Sequence, residues 1–392
     1  MAEERRLDLS KEINELINQL SVSKRAGFFL GAGTSKALGL PDIVTLTNDV
    51  EDKIKDEYRS KYDTLKKNLI ESMKAEDIIT IEDVLNHIRL IREVTKGKEG
   101  KSFDGINGEE ARKLDIDICN VIYKVISEKE KSINLLKMRK FISWVNWLSR
   151  DFSKEIFTPN YDLVIEKSLE SLKIPYFDGF VGAHEPFFLP ESIESKGNSY
   201  TPPFSWIRLW KIHGSFGWFW KETQVDGVYK VVRLGVNAKC DEDNDELVIY
   251  PSRDKYESSR KQPFVAYFDR LKHFLQEGEG VLIICGYSFS DQHINEVFFD
   301  ALKQNNRLHI IVFLYSDASL EKIKDIAQSF LNISVYSATQ GIVSGFLGKW
   351  IINEALKDEK EKEFIKYFWD SEDKKLKLGD FNSLVDFLIE AS

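Results

Sequence analysis

Cysteine is nearly absent, with Cys119, Cys240 and Cys285 the only three in 392 residues. Their wide spacing fits neither a CxxC pair nor a zinc module, and a disulfide scaffold is excluded with them. No stretch approaches the ~20 uninterrupted apolar residues of a membrane helix. Met1 to Leu20 also alternates charges where a signal peptide needs an apolar run. A cytoplasmic chain without membrane contact is expected. Positive charge is in deficit too: 55 Lys and Arg against 64 Asp and Glu leave a formal charge of −9, which opposes diffuse attraction to polyphosphates. One local basic run, Arg253, Lys255, Arg260 and Lys261, reads as a solvated face, so DNA contact is expected only through that patch or a partner chain. Asp and Glu show no clear metal-ligand spacing, and no metal is expected.

What the chain does have is apolar and aromatic content, at 42% and 12%, enough to bury a core and argue against wholesale disorder. Leu7 to Leu20 has helical spacing. Short continuous apolar runs follow at Ala26–Leu30, Glu155–Thr158 and Gly280–Cys285, the pattern of strands covered on both faces. Between them, about Thr47 to Arg150 is dense in Lys, Glu, Leu and Ile and reads as helices interrupted near Gly97 to Gly108. Phe180 to Tyr250 reads as loops with a small hairpin region around Tyr229 to Leu234, and helix and strand alternate after it to about Tyr336. The expected fold is α/β: a Rossmann-like parallel sheet with helices on both faces, spanning 1–45 and 151–340, with a helical insertion at 46–150 and a C-terminal helical extension at 341–392.

In such a sheet, ligands sit beyond the C-terminal strand ends, and each of these ends carries a suggestive residue. Gly31-Ala32-Gly33-Thr34-Ser35 lets backbone amides approach a diphosphate at a helix N-terminus, or is a plain tight turn. The dinucleotide fingerprint would require a further glycine at Lys36, which weakens a dehydrogenase reading. Gly97-Lys-Glu-Gly100-Lys-Ser102 lacks the first glycine of a phosphate loop and reads as a flexible loop. Asn160 and Asp162 follow a strand, where such residues commonly cap a helix. His213 stands before Gly214 among apolar residues, as a hydrogen-bonded core group or a catalyst. Gly286-Tyr287-Ser288 is ordinary turn chemistry by itself.

Together and in this order, the Gly-Ala-Gly-x-Ser turn, Thr158-Pro-Asn160-Tyr-Asp162, His213-Gly214 and Gly286-Tyr-Ser288 resemble the sirtuin family. The resemblance covers roughly 24 to 45 and 150 to 340. Gly39-Leu-Pro-Asp42 resembles the segment after the first turn, without the arginine expected shortly after it. The strings Thr-Pro-Asn-Tyr-Asp and Gly-Tyr-Ser-Phe-Ser-Asp-Gln-His look most like bacterial sirtuin-like proteins of antiphage defence that degrade NAD. Two absences agree with that subgroup: the four-cysteine zinc module of the deacylases, and a recognisable slot for an acyl-lysine peptide. The resemblance implies NAD as substrate, Asn160 and His213 as catalytic residues, and Gly31 to Ser35, Asp42, Asp162, Gly286 and Ser288 as NAD contacts. It also implies a homo-oligomer paired with a HerA-type ATPase, or with an Argonaute protein instead. A protein that binds NAD or ADP-ribose without turnover, a protein deacylase and a metal-dependent nuclease subunit are the competing classes.

Overall fold

The computed structural model describes residues 5–72, 79–95, 100–148, 150–193, 201–222, 229–233, 246–249, 263–352 and 357–392. The basic run Arg253 to Lys261, Cys240, Leu234 and the loop at 97–99 lie outside the described residues.

Seven parallel strands run from one edge of a ten-stranded sheet through its centre, in the order Tyr176–Phe177, Ile207–Lys211, Glu155–Thr158, Ala26–Leu30, Gly280–Cys285, Leu308–Phe313 and Ile333–Tyr336. The apolar runs identified from sequence occupy the centre because they are apolar on both faces. Alternate side chains fall into two cores: Phe28, Leu30, Ile156, Leu209, Ile283 and Cys285 on one face, and Phe29, Phe157, Trp210, Leu282 and Ile284 on the other. This is the two-residue period of a strand covered twice. Each large side chain buried in this way contributes about 1.5–3 kcal/mol.

Helix Leu9–Val22, the helices of the insertion and Phe381–Glu390 line the first core. Helices Pro263–Gln276 and Gln292–Gln304 line the second, with part of a five-stranded antiparallel sheet. Trp210 and Trp218 belong to this second core. Their rings lie 5.4 and 5.6 Å from that of Tyr267, and Trp210 Nε1 donates to Glu155 at 2.7 Å, so both pack the interior.

The insertion is helical as expected, with helices Ile43–Glu51, Asp56–Ser72, Ile81–Thr95, Gly108–Glu130 and Leu136–Trp147. The C-terminal region differs at its start. Gln340–Val343 and Phe346–Ile351 are strands that extend the central sheet antiparallel, and Arg6–Asp8 adds the edge strand beside them. The helical spacing read there belongs to Glu359–Phe368 and Phe381–Glu390. Ile342 and Trp350 are buried on the sheet, and tertiary pairing decided the conformation of a stretch whose local pattern was ambiguous.

Chain order runs outward from Ala26–Leu30 to Glu155–Thr158 on one side, and later returns to Gly280–Cys285 on the other. The connections diverge at this switch point, and the C-terminal strand ends around it carry the candidate residues.

Candidate functional site

At the end of Ala26–Leu30 the chain turns through Gly31 into the short helix Ala32–Ala37. The glycines are needed here for close backbone packing. A Cβ on Gly31 would stand 2.4 Å from the Gly286 carbonyl oxygen, and one on Gly33 2.8 Å from Gly286 Cα. Gly286 itself has φ +69°, a left-handed conformation that side-chain-bearing residues adopt at a cost. Gly31 N–H donates to the Cys285 carbonyl at 2.9 Å, Gly33 N–H to the Gly286 carbonyl at 2.8 Å and Thr34 N–H to the Gly31 carbonyl at 3.0 Å. These amides, expected from sequence to meet a diphosphate, are already engaged within the protein. Ala32 is exposed at the mouth of the turn.

The next strand, Glu155–Thr158, delivers Asn160 onto this turn. Its Nδ2 donates to the Gly31 carbonyl at 3.0 Å and to Ser35 Oγ at 2.9 Å, with Thr34 Oγ1 at 3.4 Å. A carbonyl oxygen only accepts, so the amide NH2 must face the turn and Asn160 Oδ1 is presented on the opposite side. Ser35, accepting from Asn160, gives its own proton to Asp162 Oδ2 at 2.7 Å. Asp162 is buried and its other oxygen accepts from Val164 N–H at 3.1 Å. Every donor in this chain therefore points one way, from Asn160 to Asp162.

His213 follows the adjacent strand, Ile207–Lys211. Three hydrogen bonds stitch its segment to the Asn160 loop: Ile212 N–H to the Thr158 carbonyl at 2.8 Å, Phe216 N–H to the Tyr161 carbonyl at 3.0 Å, and Lys211 Nζ to the Asp162 carbonyl. His213 Nε2 lies 3.0 Å from Asp291 Oδ2. Asp291 comes from the loop after Gly280–Cys285, three strands away across the sheet. At ~4.8 Å per strand that separation is about 14 Å at the strand level. The pair therefore spans the ends of the two strands between, those carrying the glycine turn and Asn160. Burial pushes the Asp291 carboxyl up, but the His213 hydrogen bond and charge, with the amides of Ile294 and His293, outweigh it and hold it below the usual range.

The other predicted contacts sit further out. Ser288 is exposed and within 3.0 Å of Ser290 Oγ, whose other partner is Lys322. Asp42 caps helix Ile43–Glu51 and pairs with Lys36 at 2.7 Å, which holds its carboxyl down at about 2.

Sequence reasoning passed over four residues. Asp291 was visible only as part of a motif string. Lys211 is buried and binds Glu166 at 2.8 Å as well as the Asp162 carbonyl. Burial raises the Glu166 carboxyl in spite of Lys211. Glu130, the last residue of helix Gly108–Glu130, accepts from Leu163 N–H at 2.8 Å and pairs with Lys167, so the insertion braces the Asn160 loop. No spacing signals these, because each partner lies tens of residues away. Among the described residues, no cluster of three or more His, Cys, Asp or Glu side chains is placed to hold a metal, and no helix is long and apolar enough to cross a membrane.

With Thr-x-Asn-x-Asp, His-Gly and Gly-x-Ser at neighbouring strand ends, comparison with known families becomes specific. Residues 154–335 match a SIR2-like domain. The matched segment carries Asn160, Asp162, His213, Gly286, Ser288 and Asp291. It begins after the first glycine turn, which parallel pairing and Asn160 attach to it. Solved structures of Sir2 homologue variants are similar at low level. One, in complex with 2′-O-acetyl ADP-ribose, has a TM-score of 0.34 and 13% identity over 76% of this chain and 83% of that one. Two in complex with ADP-ribose have TM-scores of 0.36 and identities of 12 and 13%, over 80 and 78% of this chain and 96 and 87% of theirs. No curated protein sequence matches the chain.

Proposed function

We propose that this chain hydrolyses NAD at the bond between nicotinamide and ribose. The observation that carries the reading is the clamped amide of Asn160, held by Gly31 and Ser35 beside the His213 segment in a SIR2-like domain. In NAD the nicotinamide is a cationic pyridinium, so it can depart with the glycosidic electron pair and without a general acid. The site then has to stabilise a ribosyl oxocarbenium ion and position water. A glycosidase-type carboxylate pair is not required. Asn160 Oδ1 presents an acceptor to a ribose hydroxyl or to the attacking water. His213 takes the proton from that water or from a ribose hydroxyl. Asp162 and Ser35 hold Asn160 in place. The glycine turn, Asp42, Gly286 and Ser288 are proposed to contact the dinucleotide, with Ala32 and Ser288 the exposed members.

In the cell we assign the activity to antiphage defence by NAD depletion, in a homo-oligomer controlled by a HerA-type ATPase or by an Argonaute protein instead. Support comes from the strings at 158–162 and 286–293. Co-expression with a HerA-type ATPase and sizing of the complex tests this assignment.

The enzymatic reading is tested by incubating the protein with NAD, with and without acylated peptide. Peptide-independent nicotinamide release that Asn160→Ala and His213→Ala both abolish is expected. Release only with peptide would make the chain a deacylase. Binding without release would make it a sensor.

A further inference from the structure

Asp291 is held from every side. Its Oδ1 accepts from His293 N–H at 2.9 Å and Ile294 N–H at 3.2 Å, capping helix Gln292–Gln304. Its carbonyl lies 3.1 Å from Tyr287 Oη, which also lies 2.9 Å from Asn295 Oδ1, while Asn295 Nδ2 donates to the Phe289 carbonyl at 3.0 Å. Phe289 is buried with φ +53°, a strained backbone for a residue with a side chain, and such strain concentrates at functional sites. The capping bonds fix the carboxylate plane, so Oδ2 is the oxygen aimed at His213 Nε2, 3.0 Å away.

We propose that Asp291 is a positioning residue that fixes the tautomer of His213, making Nδ1 the nitrogen that accepts the proton in the reaction. An ionised carboxylate only accepts hydrogen bonds, so the nitrogen facing it carries hydrogen and the neutral ring keeps its lone pair on Nδ1. The proposal rests on His213 acting as base in the reading above.

Two substitutions separate this role from a structural one. In Asp291→Asn the side-chain oxygen keeps the two helix amides, which turns the NH2 towards His213. That NH2 donates to Nε2 and imposes the opposite tautomer. The fold and Tm stay near wild type, KM for NAD changes a few-fold at most, and kcat falls roughly 10³–10⁴-fold, the scale of loss when a catalytic histidine is held in its wrong tautomer. Asp291→Ala removes the cap and lowers Tm, but leaves the ring able to adopt either tautomer, so kcat falls less than in Asp291→Asn. A merely structural role predicts the reverse order, alanine worse than asparagine. The nitrogen-15 spectrum of His213 reads the tautomer directly, with hydrogen on Nε2 in the wild type and on Nδ1 in Asp291→Asn. The inference is overturned by an asparagine variant as active as the alanine variant or more so, or by a wild-type ring protonated on Nδ1 alone. If the wild type releases no nicotinamide, the NAD reading fails and the spectrum by itself decides the tautomer.

Discussion

Asn160 and Ser35, 125 positions apart in the chain, meet at 2.9 Å, and the serine hydroxyl in turn donates a hydrogen bond to Asp162 at 2.7 Å. The direction of the chain is set by the Gly31 carbonyl, which can only accept. The orientation of the Asn160 amide is therefore a property of the glycine turn as much as of its own loop.

Ser35→Ala breaks this chain at its middle. It leaves a buried oxygen of Asp162 without its donor and Asn160 with one acceptor fewer, which should cost about 1–3 kcal/mol of stability. Denaturant unfolding measures that loss, and nicotinamide release should fall with it because Asn160 is free to rotate. An unchanged unfolding midpoint would show that the hydrogen bond is not formed in solution.

Gly286→Ala tests the packing of the two turns. Its φ of +69° disfavours a side chain and the new Cβ would stand 2.5 Å from Thr34 N. Gly33 C and Thr34 Cγ2 follow at 2.9 Å, and because the two backbone atoms cannot swing aside, relief requires the turns to part. Destabilisation of about 2–4 kcal/mol is expected, with or without ligand present. A variant as stable as the wild type would contradict the close approach.

Much of this was legible in the sequence because it follows local rules. Ala26–Leu30, Glu155–Thr158 and Gly280–Cys285 are strands with the bounds their apolar runs suggested, since burial on both faces leaves an uninterrupted apolar signature. The strand-end placement of Gly31, Asn160 and Gly286 followed from the same runs, but that of His213 did not, because Ile207–Lys211, which joins the central sheet, lies in the stretch read as loops with a small hairpin region. The use of the glycines did not, because one glycine turn packing against another 255 residues later has no local trace. Nor did the strands at 340–351, whose alternation is blurred by Phe346, Lys349 and Trp350. Asp291 was hidden by doing two jobs, since an aspartate before a helix is already explained by its cap.

Lys211 clamps the two candidate loops, and Lys211→Met should strand Glu166 as a buried carboxylate without its cation. A loss of about 3–5 kcal/mol is the usual result of breaking such a pair from one side. The double variant Lys211→Met, Glu166→Leu should recover much of the stability but little of the activity, because the Asp162 carbonyl has still lost its donor. Equal recovery of both would reduce Lys211 to a counter-charge.

Stability should also fall on acidification through His309. Burial lowers its pKa to about 4 from the ordinary 6.5, with Ser334 Oγ 3.0 Å from Nε2. The unfolded chain takes up this proton more readily than the folded one, so the contribution is intact above about pH 6.5 and is lost as pH falls towards 4. His309→Gln should flatten that part of the stability profile, measured by denaturant unfolding at pH 7, 5.5 and 4. A profile parallel to the wild type would place the acid sensitivity elsewhere.

Quantifying nicotinamide released from NAD by the purified chain, beside Asn160→Ala of verified fold, tests the central claim most directly. Steady release by the wild type, reduced at least 10²-fold in the variant, is the predicted result, the scale of loss on removing one positioned transition-state group. Equal release by both proteins would remove Asn160 from the chemistry, and NAD left intact by the wild type would contradict hydrolysis of NAD by this chain.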